Sequence, residues 1–352
     1  MDETEKMLER LSNAHGAPGF EGPVREILKE YWSQCSVSFE IDGMGNLIGT
    51  PPQHSKKLPT ILVMAHMDEI GFITKKIDDD GFITTIPLGG WVNHTLWGQK
   101  WVIQVGTRSI PAISGIDPPH ASGGHTKTPS ISQNQLFLDT GLCKKELEDL
   151  GIRPGLPVTP NSQFYTIGQR YVGKAMDDRA GLAVMIDLMK ALSSQKKTQV
   201  VFAATVQEEL RITGAKTVYA TVQPDIVLNL DIGIARDYPT QFTSEKGPFL
   251  GQGPTLFFFD KSMMPNQNLV SEIAKIAKEN QIPFQWEGEE AYSQDGCALQ
   301  TSGQGVPTIN IGIPTRYGHT PYSIIDRSDY DNTVALLTAV IENIDQHFVK
   351  IL

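Results

Sequence analysis

Hydrophobic positions along this chain follow two rhythms that alternate, and a third texture interrupts them. "EKMLERLSNAHGAPGFEGPVREILKEYW" carries apolar residues at helical spacing on either side of a Gly/Pro turn, which predicts two helices, the second opening at Pro23. "VSFEID" and "GNLIGT" predict short strands around Gly43 and Gly45. "PTILVMAH" is a continuous apolar run of the kind carried by central strands that are covered on both faces.

From Gly71 to about Tyr165 the pattern changes. "GFITKKIDDDGFITTIPLGG", "KWVIQVGTR" and "SIPAISGI" alternate β-formers with turn residues, and only "KKELEDLG" has helical character. This segment is expected to be all β and inserted, with "ASGGHTKTPSISQ" a polar loop. Afterwards the first rhythms resume. "DDRAGLAVMIDLMKALS", "TGAKTVYATV", "NQNLVSEIAKIAKEN" and "DYDNTVALLTAVIENIDQHF" predict helices, and "TQVVFAATV", "DIVLNLDI" and "PTINIGI" predict strands between them. Strands alternating with helices indicate a sheet with helices on both faces. The expected class is therefore α/β, a mixed-sheet domain made of residues 1–70 and 166–352 and interrupted by a β-barrel-like domain at 71–165.

Composition narrows the partners. The chain has 352 residues, enough for roughly two domains of about 150 residues each. Its net charge of −10 comes with no basic block to neutralise phosphates, which argues against nucleic acid. No apolar run approaches the roughly 18 residues of a membrane helix, and "MDETEKMLERL" is acidic where a secretory signal is basic and then apolar. No membrane partner and a cytoplasmic location are expected. Cys35, Cys143 and Cys297 are odd in number and share no metal-binding spacing, so they are expected as reduced, partly buried thiols.

The chemistry lies at the ends of predicted strands, where sites in α/β sheets collect. His66 and Asp68 end "ILVMAHMD", Glu208 and Glu209 end "VVFAATVQEE", and Asp231 ends "DIVLNLD". Asp177 and Asp178 open the helix after "YVGKAM", and His319 lies just beyond "INIGIPTRYG". Adjacent carboxylates at the edge of a core repel one another and lose hydration, unless a cation or a raised pKa resolves the conflict. Histidine with carboxylate and no cysteine suits Zn²⁺, Co²⁺ or Mn²⁺, and two such ions roughly 3.5 to 4 Å apart can share one bridging carboxylate. Each feature also has a plainer use: "DD" suits a helix N-cap, "EEL" a solvated helix start, and His66 a hydrogen-bonded core residue. The coincidence of five such places favours metal. His15, His54 and His347 are expected at the surface, while His94, His120 and His125 fall in the β-rich segment, His120 within reach of a neighbouring subunit or the mouth of the site.

With "DGMGNL", "AHMDEIGF", "GGW", "GIDPPH", "LFLDTG", "GKAMDDRAG", "VQEE", "LDIG" and "PTRYGHTP" in this order, the chain resembles the M42 family of dinuclear metallo-aminopeptidases, the group of glutamyl aminopeptidase and FrvX, over essentially its whole length. The resemblance implies that His66, Asp177 and Asp231 hold one metal ion and that Asp177, Glu209 and His319 hold the other, with Asp177 as the bridge. It implies Glu208 as the general base toward a metal-bridging water and Asp68 as the acid that orients His66. Three carboxylates against two divalent ions leave about one positive charge, enough to acidify water and stabilise an oxyanion. The activity implied is removal of N-terminal residues from short peptides with two divalent ions, Zn²⁺ or Co²⁺. The β-rich insertion becomes a dimerisation domain, with Trp91, Trp97 and Trp101 candidates for its interface or its local core, and the chain assembles into a homo-oligomer, commonly a dodecamer. One departure concerns "EELRITGA", where the family usually has "EEVGLRGA": Arg211 replaces a glycine and Thr213 an arginine, which puts substrate choice in question. A metal-stabilised assembly protein without turnover is the alternative. A glycoside hydrolase fits less well, since its two-carboxylate mechanism leaves the histidines surplus and adjacent Glu208 and Glu209 diverge.

Overall fold

The run "PTILVMAH" forms the strand Thr60–His66 and lies inside an eleven-stranded sheet. The computed structural model describes residues 1–52, 58–118, 120–121, 132–192, 197–239 and 246–352. His54, His125 and most of "ASGGHTKTPSISQ" lie outside the described residues. The strand is apolar throughout because both of its faces are covered, and alternate side chains go to opposite sides. Ile61, Val63 and Ala65 pack with Met7, Leu11 and Ala180, whereas Leu62 and Met64 pack with Ala215, Val218 and Leu299. The helices Glu3–Asn13, Met176–Ala191 and Arg327–Asn343 cover the first face, and Ala215–Val222 with Gly296–Gln300 covers the second.

Four parallel strands set up the site. Thr60–His66 pairs with Gln199–Thr205 on one side and with Ile226–Ile234 on the other, and Ile226–Ile234 pairs with Thr308–Arg316. Parallel strands deliver all their C-terminal ends to one edge. Register sharpens this: His66 faces Thr205, Asn229 faces Met64, and Asp231 faces Gly312. His66 and Asp231, two residues beyond the Met64–Asn229 pair, therefore stand at the same height on adjacent strands.

Antiparallel strands complete the sheet and make it mixed, as expected. Leu47–Thr50 and Ser38–Ile41 extend one end, and Ser323–Asp326, Arg170–Gly173 and Tyr165–Ile167 the other. A further pair, Thr255–Asp260 with Gln285–Glu289, branches from Thr308–Arg316. Periodicity did not predict this pair: the second strand reads "QWEGE", which is short and interrupted by Gly288. The expected C-terminal helix is also divided. It stops at Asn343, and Asp345, whose side chain accepts from the Phe348 N–H at 2.9 Å, caps a separate turn Gln346–Val349.

Among the described residues, the β-rich segment forms a second sheet of six strands, all antiparallel, running from Gly71–Ile77 to Pro157–Pro160. The sheet is curled, and Ile113 and Asp139, near its two edges, pair through a single bridge. It matches the expected barrel only in part. Its tryptophans are core residues here. Phe72 stacks on Trp91 with centroids 5.2 Å apart and meets Trp101 edge-on at 5.3 Å. Trp101 is fully buried and donates Nε1–H to Ser114 Oγ at 2.9 Å, while Trp97 packs half-buried against the same cluster. The apolar residues this sheet leaves exposed are others, among them Ile86, Val92, Ile113 and Ile116.

Two smaller expectations are corrected. His15 is not a surface residue: it is half-buried, with Nδ1 2.6 Å from Thr159 Oγ1, and burial pushes its pKa down to about 4. Of the three free cysteines Cys143 is exposed, while Cys35 and Cys297 are half-buried. Among the described residues, no helix is long and apolar enough to cross a membrane.

Truncating the aromatic centre of the second sheet is expected to be severe. Trp101→Ala should cost about 3 to 5 kcal/mol, read from the midpoint of a urea titration followed by circular dichroism; a change below about 1 kcal/mol would contradict the packing described.

Candidate metal centre

Histidines and carboxylates from five chain segments meet at the strand edge. His66, Asp177 and Asp231 form one group and Asp177, Glu209 and His319 a second, with one donor atom of each residue within 4.8 Å of the others in its group. Asp177 belongs to both. His66 Nε2 is 3.0 Å from its Oδ1, and His319 Nε2 is 3.2 Å from its Oδ2 and 3.4 Å from Glu209 Oε1. Two donors on a tetrahedral ion with bonds of about 2.1 Å stand roughly 3.4 Å apart, so these separations suit ligands of a shared cation.

The residues are aimed by identifiable contacts. The "DD" pair divides its labour: Asp178 Oδ1 accepts from the Gly181 N–H at 3.0 Å and caps the helix, leaving Asp177, outside helical geometry, to face the histidines. Both imidazoles are tied through Nδ1 to main-chain carbonyls, His66 to Asp68 at 3.1 Å and His319 to Gly90 at 2.6 Å. Donation from Nδ1 leaves the Nε2 lone pair for a cation, the usual arrangement around a ligating histidine. Gly90 comes from the "GGW" turn of the second sheet. A Cβ on Gly89, whose φ is +83°, would stand 2.5 Å from Ile70 Cγ2 and 3.1 Å from Glu209 Oε2, so only glycine lets that turn approach.

Asp68 faces His66 Nδ1 with its carbonyl at 3.1 Å and its carboxylate at 3.6 Å. The carboxylate oxygens also accept the backbone N–H groups of Glu208 and Glu209, each at 3.0 Å. Asp68 thereby fixes the turn that carries both glutamates. The same turn is closed by Ile212 N–H to Glu208 O at 2.8 Å and Gly214 N–H to Val206 O at 3.0 Å. Arg211 and Ile212 adopt φ of +68° and +54°, a region that costs a non-glycine residue about 1–2 kcal/mol. Arg211 lines none of the cavities described below. His94 and His120 are exposed and belong to neither donor group.

Electrostatics make the cluster hungry for cations. Burial, reinforced by neighbouring carboxylates, pushes Glu208 and Asp231 well above the usual carboxylate range and Glu209 up to about 7. Glu209 drives His319 up to about 10, with Asp177 adding to the effect. Burial alone would lower His66, yet Asp177 and Asp68 hold it well above its ordinary value. The donor set of imidazole and carboxylate, with each group leaving positions open, fits a divalent transition ion.

Several participants carried no sequence signal of a role. Tyr292 donates its hydroxyl to Asp231 Oδ1 at 2.6 Å, and buried Asp295 accepts from Thr205 Oγ1 at 2.5 Å. Glu69, the second acid of "MDE", faces buried cations instead of the cluster: Lys174 Nζ at 2.5 and 2.7 Å and Arg179 Nη2 at 3.6 Å. A narrow space of about 10 Å³ is lined by Asp177, Glu209 and His319 themselves, and larger cavities nearby include one of about 490 Å³ lined by His319 and Tyr292 and one of about 670 Å³ that meets the glutamate turn at Gln207.

Comparison with known proteins identifies the family of this chain. The family model described as M42 glutamyl aminopeptidase matches residues 45–336, and a short model, AMPT, matches residues 2–28. The chain is 30% identical to glutamyl aminopeptidase of Lactococcus lactis, covering 95% of each chain. Its fold superposes with a TM-score of 0.93 on the TET aminopeptidase of a marine sediment thaumarchaeote, at 31% identity and 99% coverage of both chains. It superposes with a TM-score of 0.87 on the TET1 peptidase of Pyrococcus horikoshii, which assembles into a tetrahedron or a large octahedral shell, at 26% identity with 97% of this chain and 100% of that one covered. With a family model spanning most of its length and relatives matched end to end, this chain belongs to the M42 glutamyl aminopeptidase family, and it is an aminopeptidase.

Proposed function

We propose that the enzyme removes N-terminal residues from short peptides at a centre of two divalent ions, Zn²⁺ or Co²⁺. His66, Asp177 and Asp231 hold one ion, Asp177, Glu209 and His319 the other, and Asp177 bridges them. The observation that carries this reading is the position of Asp177, one oxygen 3.0 Å from His66 and the other 3.2 Å from His319. Ions held by these residues would supply Lewis-acid chemistry, polarising a scissile carbonyl and acidifying water. Glu208, half-buried and held high by burial, Asp231, Asp295 and Glu209, takes the proton from that water and returns it to the leaving amine. Asp68 positions Glu208 and Glu209 through their backbone N–H groups.

Residues 71–165 serve as a dimerisation domain in this reading, resting on the exposed Ile86, Val92, Ile113 and Ile116 of the curled sheet. They also complete the site, since Gly90 orients His319. A homo-oligomer, a dodecamer by analogy with the PhTET1-12s dodecamer, would confine the substrates to peptides.

Glu208→Gln should lower kcat for a cleaved peptide by about 10²- to 10⁴-fold while two ions per chain remain by elemental analysis. Loss of the ions instead would make Glu208 a ligand, and an unchanged rate would remove it from the reaction. Chelation should abolish release of amino acids, and added Zn²⁺ or Co²⁺ should restore it; release that survives chelation contradicts the reading.

Metal binding should expel protons. Without metal, His319 titrates near 10, so at pH 7 it is protonated and must lose that proton to coordinate. Affinity for Zn²⁺ should therefore rise with pH, and titration calorimetry in buffers of different ionisation enthalpy should show at least one proton released at pH 7. Binding with no proton release would place the ions elsewhere.

A further inference from the structure

The cavity of about 490 Å³ beside the metal centre is built for an uncharged guest. Its floor comes from Ile232 and Ile234 at the end of the strand that carries Asp231, and its walls include Tyr238, Tyr317 and Val92. Tyr238 and Tyr317 lean together with ring centroids 5.0 Å apart. Gly318 lies so close to the floor that a Cβ there would stand 2.8 Å from Ile232 Cδ1. His319 and Tyr292, which touch Asp177 and Asp231 respectively, open onto the same space, so a group filling it is attached directly beside the proposed ions.

Among the described residues, the lining holds no Asp, Glu, Lys or Arg. The arginines adjacent to the lining in sequence are already paired with acids. Arg316 forms a two-pronged bridge to Asp237 at 2.6 and 2.7 Å, and Arg236 binds Glu289 at 2.6 Å. A carboxylate or ammonium filling this space would shed water and meet no Asp, Glu, Lys or Arg among the described lining residues, whereas an apolar or aromatic side chain would gain from burial.

The neighbouring cavity of about 670 Å³ has the opposite character. Its lining includes Glu21, Arg25, Asp42 and Arg153, yet none of the donor residues. The two spaces predict opposite substrate choices, and only the apolar one shares walls with the donor groups.

We propose that the Tyr238–Tyr317 cavity receives the side chain of the substrate's N-terminal residue and selects neutral apolar or aromatic residues over acidic and basic ones. This rests on the aminopeptidase reading above. It assigns no role in selection to Arg211, and it sets this chain apart from a glutamyl aminopeptidase.

The test uses the full-length, Zn²⁺- or Co²⁺-loaded protein and a panel of tripeptides X-Ala-Ala, with X as Leu, Met, Phe, Tyr, Glu, Asp, Lys or Arg. The kcat/KM for the best neutral residue should exceed those for Glu and Lys by at least about tenfold. Thr95→Arg, which adds a guanidinium to the wall, should raise the Glu-to-Leu ratio of kcat/KM by at least about tenfold. Both readouts are ratios within one preparation, so a partly inactive variant does not disturb them. Preference for Glu or Lys, or an unchanged ratio in the variant, overturns the cavity assignment and leaves the hydrolytic reading standing. Absence of release from every peptide overturns both.

Discussion

The mutual repulsion of buried carboxylates is the constraint on which the rest of this structure depends. Asp68, Asp177, Asp178, Glu208, Glu209, Asp231 and Asp295 gather at one sheet edge, all but the two glutamates fully buried. Burial raises the cost of ionising Asp178, Glu208, Glu209, Asp231 and Asp295, and neighbouring carboxylates add to it. The protein answers in three ways. Main-chain N–H groups absorb part of the charge, as at Asp68 and Asp178. Imidazoles face Asp177 from two sides. The buried cations Lys174 and Arg179 are paired with Glu69 and leave much of the negative field in place. In the proposed reading, divalent ions would offset that excess.

The Glu69 network also explains how so charged an edge keeps its shape. Arg179 lies fully buried in the first turn of the helix behind Asp177, where it donates to the carbonyls of Met67, Leu11 and Ala14. Lys174 donates to Ala14 O as well. The two cations therefore pin the N-terminal helix, the loop after His66 and the Asp177 turn to one another. A buried ion pair of this kind adds little net stability, but removing one partner leaves an uncompensated charge. Its use here is positional: it holds the backbone on both sides of Asp177.

The second sheet is part of the same machinery. Its aromatic core of Phe72, Trp91 and Trp101 sits directly after the His66 loop, and its "GGW" turn brings the Gly90 carbonyl to His319. Departures from relaxed backbone cluster in the same place. Gln207, Arg211, Ile212, Tyr317 and His319 all have positive φ, on the two loops that carry Glu208, Glu209 and His319. Such conformations persist where the surroundings over-determine them, and they are commonest at functional sites.

Much of this was written in the chain itself. Continuous apolar runs such as "ILVMA" identify central strands because each residue there must be buried whichever face it takes, and helical spacing identifies the covering helices for the same reason. Polar residues that interrupt such runs at their ends, His66, Glu209 and Asp231 among them, stand out because burial penalises them unless something compensates. Tyr292, Asp295, Gly90 and the Glu69 cations were not legible in this way. Tyr292 and Asp295 sit in polar stretches where tyrosine and aspartate are ordinary, and Gly90 contributes only a carbonyl, which every residue has. Their roles arise from distances between segments remote in sequence, and the division of "MDE" and "DD" into members that face the donors and members that cap or pair elsewhere arises likewise. Local sequence determines which groups cannot be left in water or in oil unaided; which partner each one meets depends on strand register and loop path, and those are set by the packing of the whole chain.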